Sequence, residues 1–193
     1  MYTAQLAIIA IAATIVTVNC LDPIRGPLDD KTDDTFQQDC LQSTNAYRSQ
    51  HHAPGLTIDQ SLVTYAKSRC QLISQYQDLQ HGHAGLAGGT GENLAWAGSS
   101  APGVGSCKSA IDEWYNEVQY YDYNTYQSTD PSKQIGHFTQ LVWKSTTRVG
   151  CARCYGKGSQ WYETYVVCDY QPPGNFVVNG DTAKAYGENV LKP

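Results

Sequence analysis

The stretch RVGCARCYGKGSQWYETYVVCDYQPPG, residues 148–174, decides the fold. Arg148 to Tyr155 and Trp161 to Tyr170 are rich in β-branched and aromatic residues, and Gly156 to Ser159 separates them. That pattern predicts a β-hairpin. Pro172-Pro173-Gly174 ends its second strand, because proline cannot donate to a ladder. Upstream the period changes to a helical one. Phe36, Cys40, Thr44 and Tyr47 share a helical face that Pro54-Gly55 stops. Asp59 can cap a second helix with a stripe of Leu62, Tyr65, Ala66, Arg69, Cys70 and Ile73. After the glycine-rich stretch 85–91, read as a tight loop, a third helix places Cys107, Ile111, Trp114, Val118 and Tyr121 on one face, and a short fourth covers Gly136 to Trp143. Helices first and strands last predict an α+β domain, with helices packed on an antiparallel sheet.

The N-terminus reads as a secretory leader. Leu6 to Val18 is thirteen residues without a charge. As a helix it would be about 20 Å long, too short for a hydrocarbon core of about 30 Å. Residues 1–20 are therefore expected to be a signal peptide, although Met1 to Gln5 hold no Lys or Arg. Residues 21–35 carry two Pro and several Asp, and are expected to be a mobile acidic lead-in to a domain over 36–193. No later stretch is apolar enough for a transmembrane anchor.

Seven Cys occur, and removal of the leader takes Cys20. The even remainder fits an exported disulfide framework. Residues three apart in a strand face opposite ways, so Cys151 and Cys154 should not bond each other. Pairing across the hairpin then predicts Cys154–Cys168, with Cys107–Cys151 and Cys40–Cys70 completing the set. The formal charge of −5 and a sequence pI near 5.4 argue against nucleic-acid partners, which need a basic stripe, and against an electrostatic grip on anionic membrane. There is no Asn-x-Ser/Thr acceptor for N-glycosylation.

The five His are His51, His52, His81, His83 and His137. His51 and His52, at a helix end, read as ordinary surface residues. Neither a His-Glu-x-x-His motif nor a Gly-x-Ser-x-Gly elbow is present, so spacing alone does not join the others. Four longer stretches do. GENLAW (91–96), WYNEV (114–118), GHFTQLVW (136–143) and YVVCDYQPPGNF (165–176) resemble, in this order, landmarks of the CAP superfamily. That superfamily comprises the cysteine-rich secretory proteins, insect antigen-five allergens and plant pathogenesis-related proteins. The resemblance covers about residues 36 to 193, and the ending ENVL (188–191) is similar to the Golgi-associated branch. It implies an α-β-α sandwich.

It also implies a cleft of two His and two Glu, carried here by His81, Glu92, Glu117 and His137. His83 is the alternative to His81, because family members have Ser where this chain has Gly82. Two neutral imidazoles can ligate Zn²⁺ or another divalent cation, with carboxylates binding directly or through water. The bland alternative is a structural network with metal incidental. No catalytic residue is assigned; a hydrolase would need Thr139 or Ser145 as the hydroxyl nearest His137 in sequence. Tyr121, Tyr123 and Tyr126 follow the third helix, and YDYN (121–124) resembles the start of the Tyr-rich motif of sterol-binding fungal relatives, without the Pro-Gly-Phe that often follows. A sterol or fatty-acid ligand there, or a protein receptor, are the partners implied, with the protein itself a monomer or weak dimer.

Overall fold

A computed structural model describes residues 23–76, 79–81, 89–176 and 182–193. The expected leader and His83 lie outside the described residues. In chain order come β1 (Asp29–Asp30), α1 (Asp34–Gln50), β2 (Thr57–Ile58), α2 (Gln60–Ile73), β3 (Gly91–Ser99) and α3 (Cys107–Asn116). A 3-10 turn (Glu117–Tyr120) leads to β4 (Tyr121–Asp122) and β5 (Gln127–Ser128), then α4 (Gly136–Val142), β6 (Arg148–Lys157), β7 (Tyr162–Gln171) and α5 (Thr182–Asn189).

The hairpin is β6–β7, and it lies in a sheet of order β1-β6-β7-β3 with β2 also on β6. Alternation along these strands makes two faces. Val149, Cys151, Val166, Cys168, Tyr170 and Ala95 pack with α1, α3 and α4. Leu94, Ala152, Cys154, Tyr165 and Val167 pack with Ala66, Cys70 and Ile73 of α2. Helices therefore cover both faces, giving the α-β-α sandwich. Asp33 caps α1 by accepting from Phe36 N at 2.7 Å, and Asp59 caps α2 from Ser61 N at 2.8 Å. Gly150 lets α2 lie against β6, because a Cβ there would run into the backbone of Leu62 and Val63.

The disulfides correct all three expected pairings. They are Cys40–Cys107, Cys70–Cys154 and Cys151–Cys168. The hairpin register explains this: Cys151 stands opposite Cys168, whereas Cys154 stands opposite Tyr165 and turns to the α2 face, where Cys70 meets it. Cys151 and Cys154 do face opposite ways, as expected. Cys107 does come close to Cys151, since the sulfurs of Cys40, Cys107, Cys151 and Cys168 all lie within 4.8 Å of one another, but they pair as two bridges and offer no free thiolates to a metal.

The described part of the lead-in, from residue 23, is likewise not a free tether. Asp29 and Asp30 pair antiparallel with Tyr155 and Cys154, and Lys31 N donates to Arg153 O at 2.9 Å. Leu28 is buried against the α2 face, and Arg25 donates to Glu163 Oε1 at 3.0 Å and Oε2 at 2.6 Å. The Asp-rich composition hid a strap held by one apolar anchor and one guanidinium. The third helix also ends sooner than its stripe predicts: α3 stops at Asn116, and Tyr121 belongs to β4.

Candidate functional site

Both implied His–Glu pairs form. Glu117, at the end of α3, reaches the first turn of α4. Its Oε2 accepts from the backbone N–H of His137 at 2.9 Å and of Phe138 at 3.1 Å, and its Oε1 accepts from His137 Nδ1 at 2.7 Å. The residue before α4, Ile135, supplies no side-chain cap, so Glu117 serves that helix as a carboxylate at its positive end. Glu92, at the start of β3, accepts from His81 Nδ1 at 2.8 Å. Arg69 of α2 grips the same carboxylate twice, Nε to Oε2 at 2.5 Å and Nη2 to Oε1 at 2.8 Å, and its Nη2 also ties down Gln80 O at 3.0 Å. Burial works to raise the Glu92 pKa, but hydrogen bonds from Arg69 and His81 outweigh it and hold the group below its ordinary value.

The two pairs meet one end of β3 from opposite faces. Glu92 points towards α2. Its neighbour Asn93 points the other way, and donates to His137 O at 3.0 Å. Among the described residues, no three ligand atoms of His, Asp or Glu gather at metal-binding separation. What the geometry does fix is the tautomer. An ionised carboxylate only accepts, so each imidazole carries its proton on Nδ1 and leaves the Nε2 lone pair free to ligate when neutral. A carboxylate behind an imidazole in this way is the usual support for a metal-bound His. Each imidazole therefore presents an Nε2 lone pair of the kind a divalent cation accepts, with Glu92 orienting His81 and Glu117 orienting His137. Glu92, gripped by Arg69, is poorly placed to ligate directly.

Arg69 is the site residue that sequence reasoning left as mere packing. Its signal was a charge inside an apolar stripe, which requires a buried partner. Asp169 was also missed. It stands opposite Glu92 in the β3–β7 ladder, wholly buried, and accepts from the Thr90 hydroxyl at 3.2 Å. His51 corrects the surface reading. It is buried, its Nδ1–H donates to Leu191 O at 2.7 Å and its Nε2 accepts from the Tyr115 hydroxyl at 3.0 Å, so it is a satisfied core histidine. Burial first, and His52 last, lower its pKa against the pull of that carbonyl. Neither hydroxyl considered for hydrolysis is aimed at His137. Thr139 is buried and bonded to Ile135 O, Gly136 O and Asn175 Oδ1, and Ser145 is exposed beside Asn189.

The three tyrosines do come together. Tyr121, Tyr123 and Tyr126 line a cavity of about 460 Å³ with Gly187, Val190 and Leu191. The Tyr121 and Tyr123 rings meet edge to face at 4.9 Å, and both hydroxyls are buried without a hydrogen-bond partner. Burial raises both phenols, that of Tyr123 to about 12. Tyr126 adopts φ +58°, and its hydroxyl lies where a Cβ on Gly187 would come within 2.8 Å.

Comparison with known proteins agrees with this architecture. Residues 41–170 match the model of the cysteine-rich secretory protein family, CAP. The secreted protein RBT4 of Candida albicans is 38% identical over 167 residues, which cover 83% of this chain but only 42% of that protein. The human Golgi-associated plant pathogenesis-related protein 1 is 32% identical over 158 residues, covering 82% of this chain and 94% of that one. Among solved structures, that of NaASP2 with Zn²⁺ superposes with a TM-score of 0.57 at 20% identity, covering 86% of this chain and 90% of the other, a likeness of fold. The chain belongs to the cysteine-rich secretory protein (CAP) family.

Proposed function

We propose that this chain is an extracellular binding protein rather than a hydrolase, and that it takes a divalent cation between the Nε2 atoms of His81 and His137. The observation that carries the reading is that each imidazole is held by a carboxylate at Nδ1, at 2.8 Å and 2.7 Å, which leaves its outer nitrogen available. The zinc in the solved NaASP2 structure supports it by analogy of fold. A bound cation would supply a positive charge and open coordination positions; this chain's residues orient and hold it. Calorimetric titration with Zn²⁺ tests the reading. Binding should be lost in His137→Ala, because the outer nitrogen that would ligate is removed. Equal affinity in wild type and His137→Ala would refute it.

A second ligand reading rests on the tyrosine cavity. Its size falls within the range usual for small-molecule sites, and the rings of Tyr121, Tyr123 and Tyr126 stand in its wall beside the polar groups of Asp122, Asn124 and Lys192, which suits a ligand with an apolar body and a polar end, a sterol or a fatty acid. Capture of radiolabelled cholesterol and palmitate by the purified protein tests this. Retention no greater than by an unrelated secreted protein would remove it.

A further inference from the structure

The end of the sheet remote from the His–Glu pairs carries a surface that neither ligand reading uses. Trp96 of β3 and Trp161, just before β7, are 43% and 44% exposed. Both indoles close over Gly98, where a Cβ would lie 3.0 Å from Trp96 Cη2 and 3.2 Å from Trp161 Cγ. Beside them Ile24, Arg25, Trp96, Ser159, Glu163 and Tyr165 line a cavity of about 260 Å³. Its floor is a closed polar network. Glu163, 7% exposed, accepts from both Arg25 Nη atoms, from the Tyr165 hydroxyl at 3.0 Å and from the Trp96 indole N–H at 3.4 Å. Gly158 leaves room for this network, since a Cβ there would collide with the Glu163 carboxylate.

Two half-exposed indoles side by side mark an interaction surface. The polar floor narrows the class of partner. Because the Arg25 and Glu163 charges cancel within the groove, an anionic or cationic ligand finds no unmatched charge. A lipid surface would cover the indoles but would offer few groups to a polar floor. A pyranose chain meets both demands, with an axial C–H face to lie on an indole and hydroxyls at its rim to bond Ser159 and the outer edge of the ion pair. We propose that the Trp96–Trp161 end of the sheet is a binding site for a neutral saccharide chain. It does not depend on the cation reading.

Affinity electrophoresis of the full protein through gels containing soluble β-1,3-glucan, β-1,4-glucan or mannan tests this, with intrinsic tryptophan fluorescence as a second readout. The wild type should be retarded by at least one of them, with a shift in tryptophan emission. Trp96→Ala and Trp161→Ala should each weaken that binding about tenfold, the scale of one lost ring contact. Trp161→Phe should recover part of it, and His137→Ala should bind as wild type. Circular dichroism of each variant checks that the fold is kept. The proposal is overturned if none of the three polymers retards the wild type, or if both Trp→Ala variants bind undiminished. It is also overturned if those variants lose binding to phosphatidylcholine vesicles while saccharide binding is unchanged.

Discussion

Replacing Asp169 with Asn should stabilise this protein, by an amount that grows with pH. The Asp169 side chain is wholly buried under α2, with Oδ1 accepting from Thr90 and Oδ2 without a partner. Burial, with the Glu92 charge adding to it, pushes this carboxyl from 3.8 up to about 8, against the opposing pull of Thr90 and Arg69. At neutral pH the folded protein therefore keeps a proton that the unfolded chain releases. The stability this group contributes is complete below pH 3.8 and is lost progressively up to about pH 8. One proton changes stability by about 1.4 kcal/mol per pH unit, so the side chain costs roughly 4 kcal/mol at about pH 7. Asparagine has the same shape and no proton to release, which removes that cost. In urea unfolding followed by circular dichroism, Asp169→Asn and wild type should have similar midpoints near about pH 4. The variant should lead by several kcal/mol at about pH 7, with the gap levelling above about pH 8. A gap that does not change with pH, or a variant less stable at neutral pH, would refute the reasoning.

Two further substitutions probe the frame and the site. Gly150→Ala forces a methyl group into the backbone of α2 at Leu62 and Val63 and should cost about 1–3 kcal/mol or more, lowering the thermal midpoint by several degrees; an unchanged midpoint would show that α2 is free to move off β6. Glu117→Ala leaves the N–H groups of His137 and Phe138 without their acceptor and should cost about 2–3 kcal/mol. A double-mutant cycle with His137→Ala should show a coupling of about 1 kcal/mol, and zero coupling would mean the pair does not act as a unit.

The hairpin, the first two helices and α4 were legible in the sequence because each carries a strong local period and a clear stop. The strand β3 was not. Its residues, GENLAWAGS, hold small side chains where a β-branched run would announce a strand, and only pairing with β7 along its whole length makes it one. The disulfides failed for a related reason. Spacing shows which way Cys151 and Cys154 point, but the four residues between the strands do not fix register, and register alone decides which of them faces Cys168. Glu92, Glu117 and His137 were found through resemblance, not spacing, since they lie on separate elements. That Glu92 is gripped by Arg69, and that Glu117 caps α4, are facts of tertiary packing with no sequence signature beyond a charge in an apolar stripe.

The strap that begins at Arg25 has a practical consequence for anyone expressing this protein. A chain started at residue 36, where helical periodicity sets in, would strip β1 from Cys154 and Tyr155 and leave that border of the sheet with unsatisfied amides. It would also uncover the apolar bed that Leu28 fills and the Glu163 carboxylate that Arg25 neutralises. A bare strand beside a newly exposed hollow is a template for a neighbouring molecule. The truncated version should therefore self-associate, and the recombinant start site belongs upstream of Arg25.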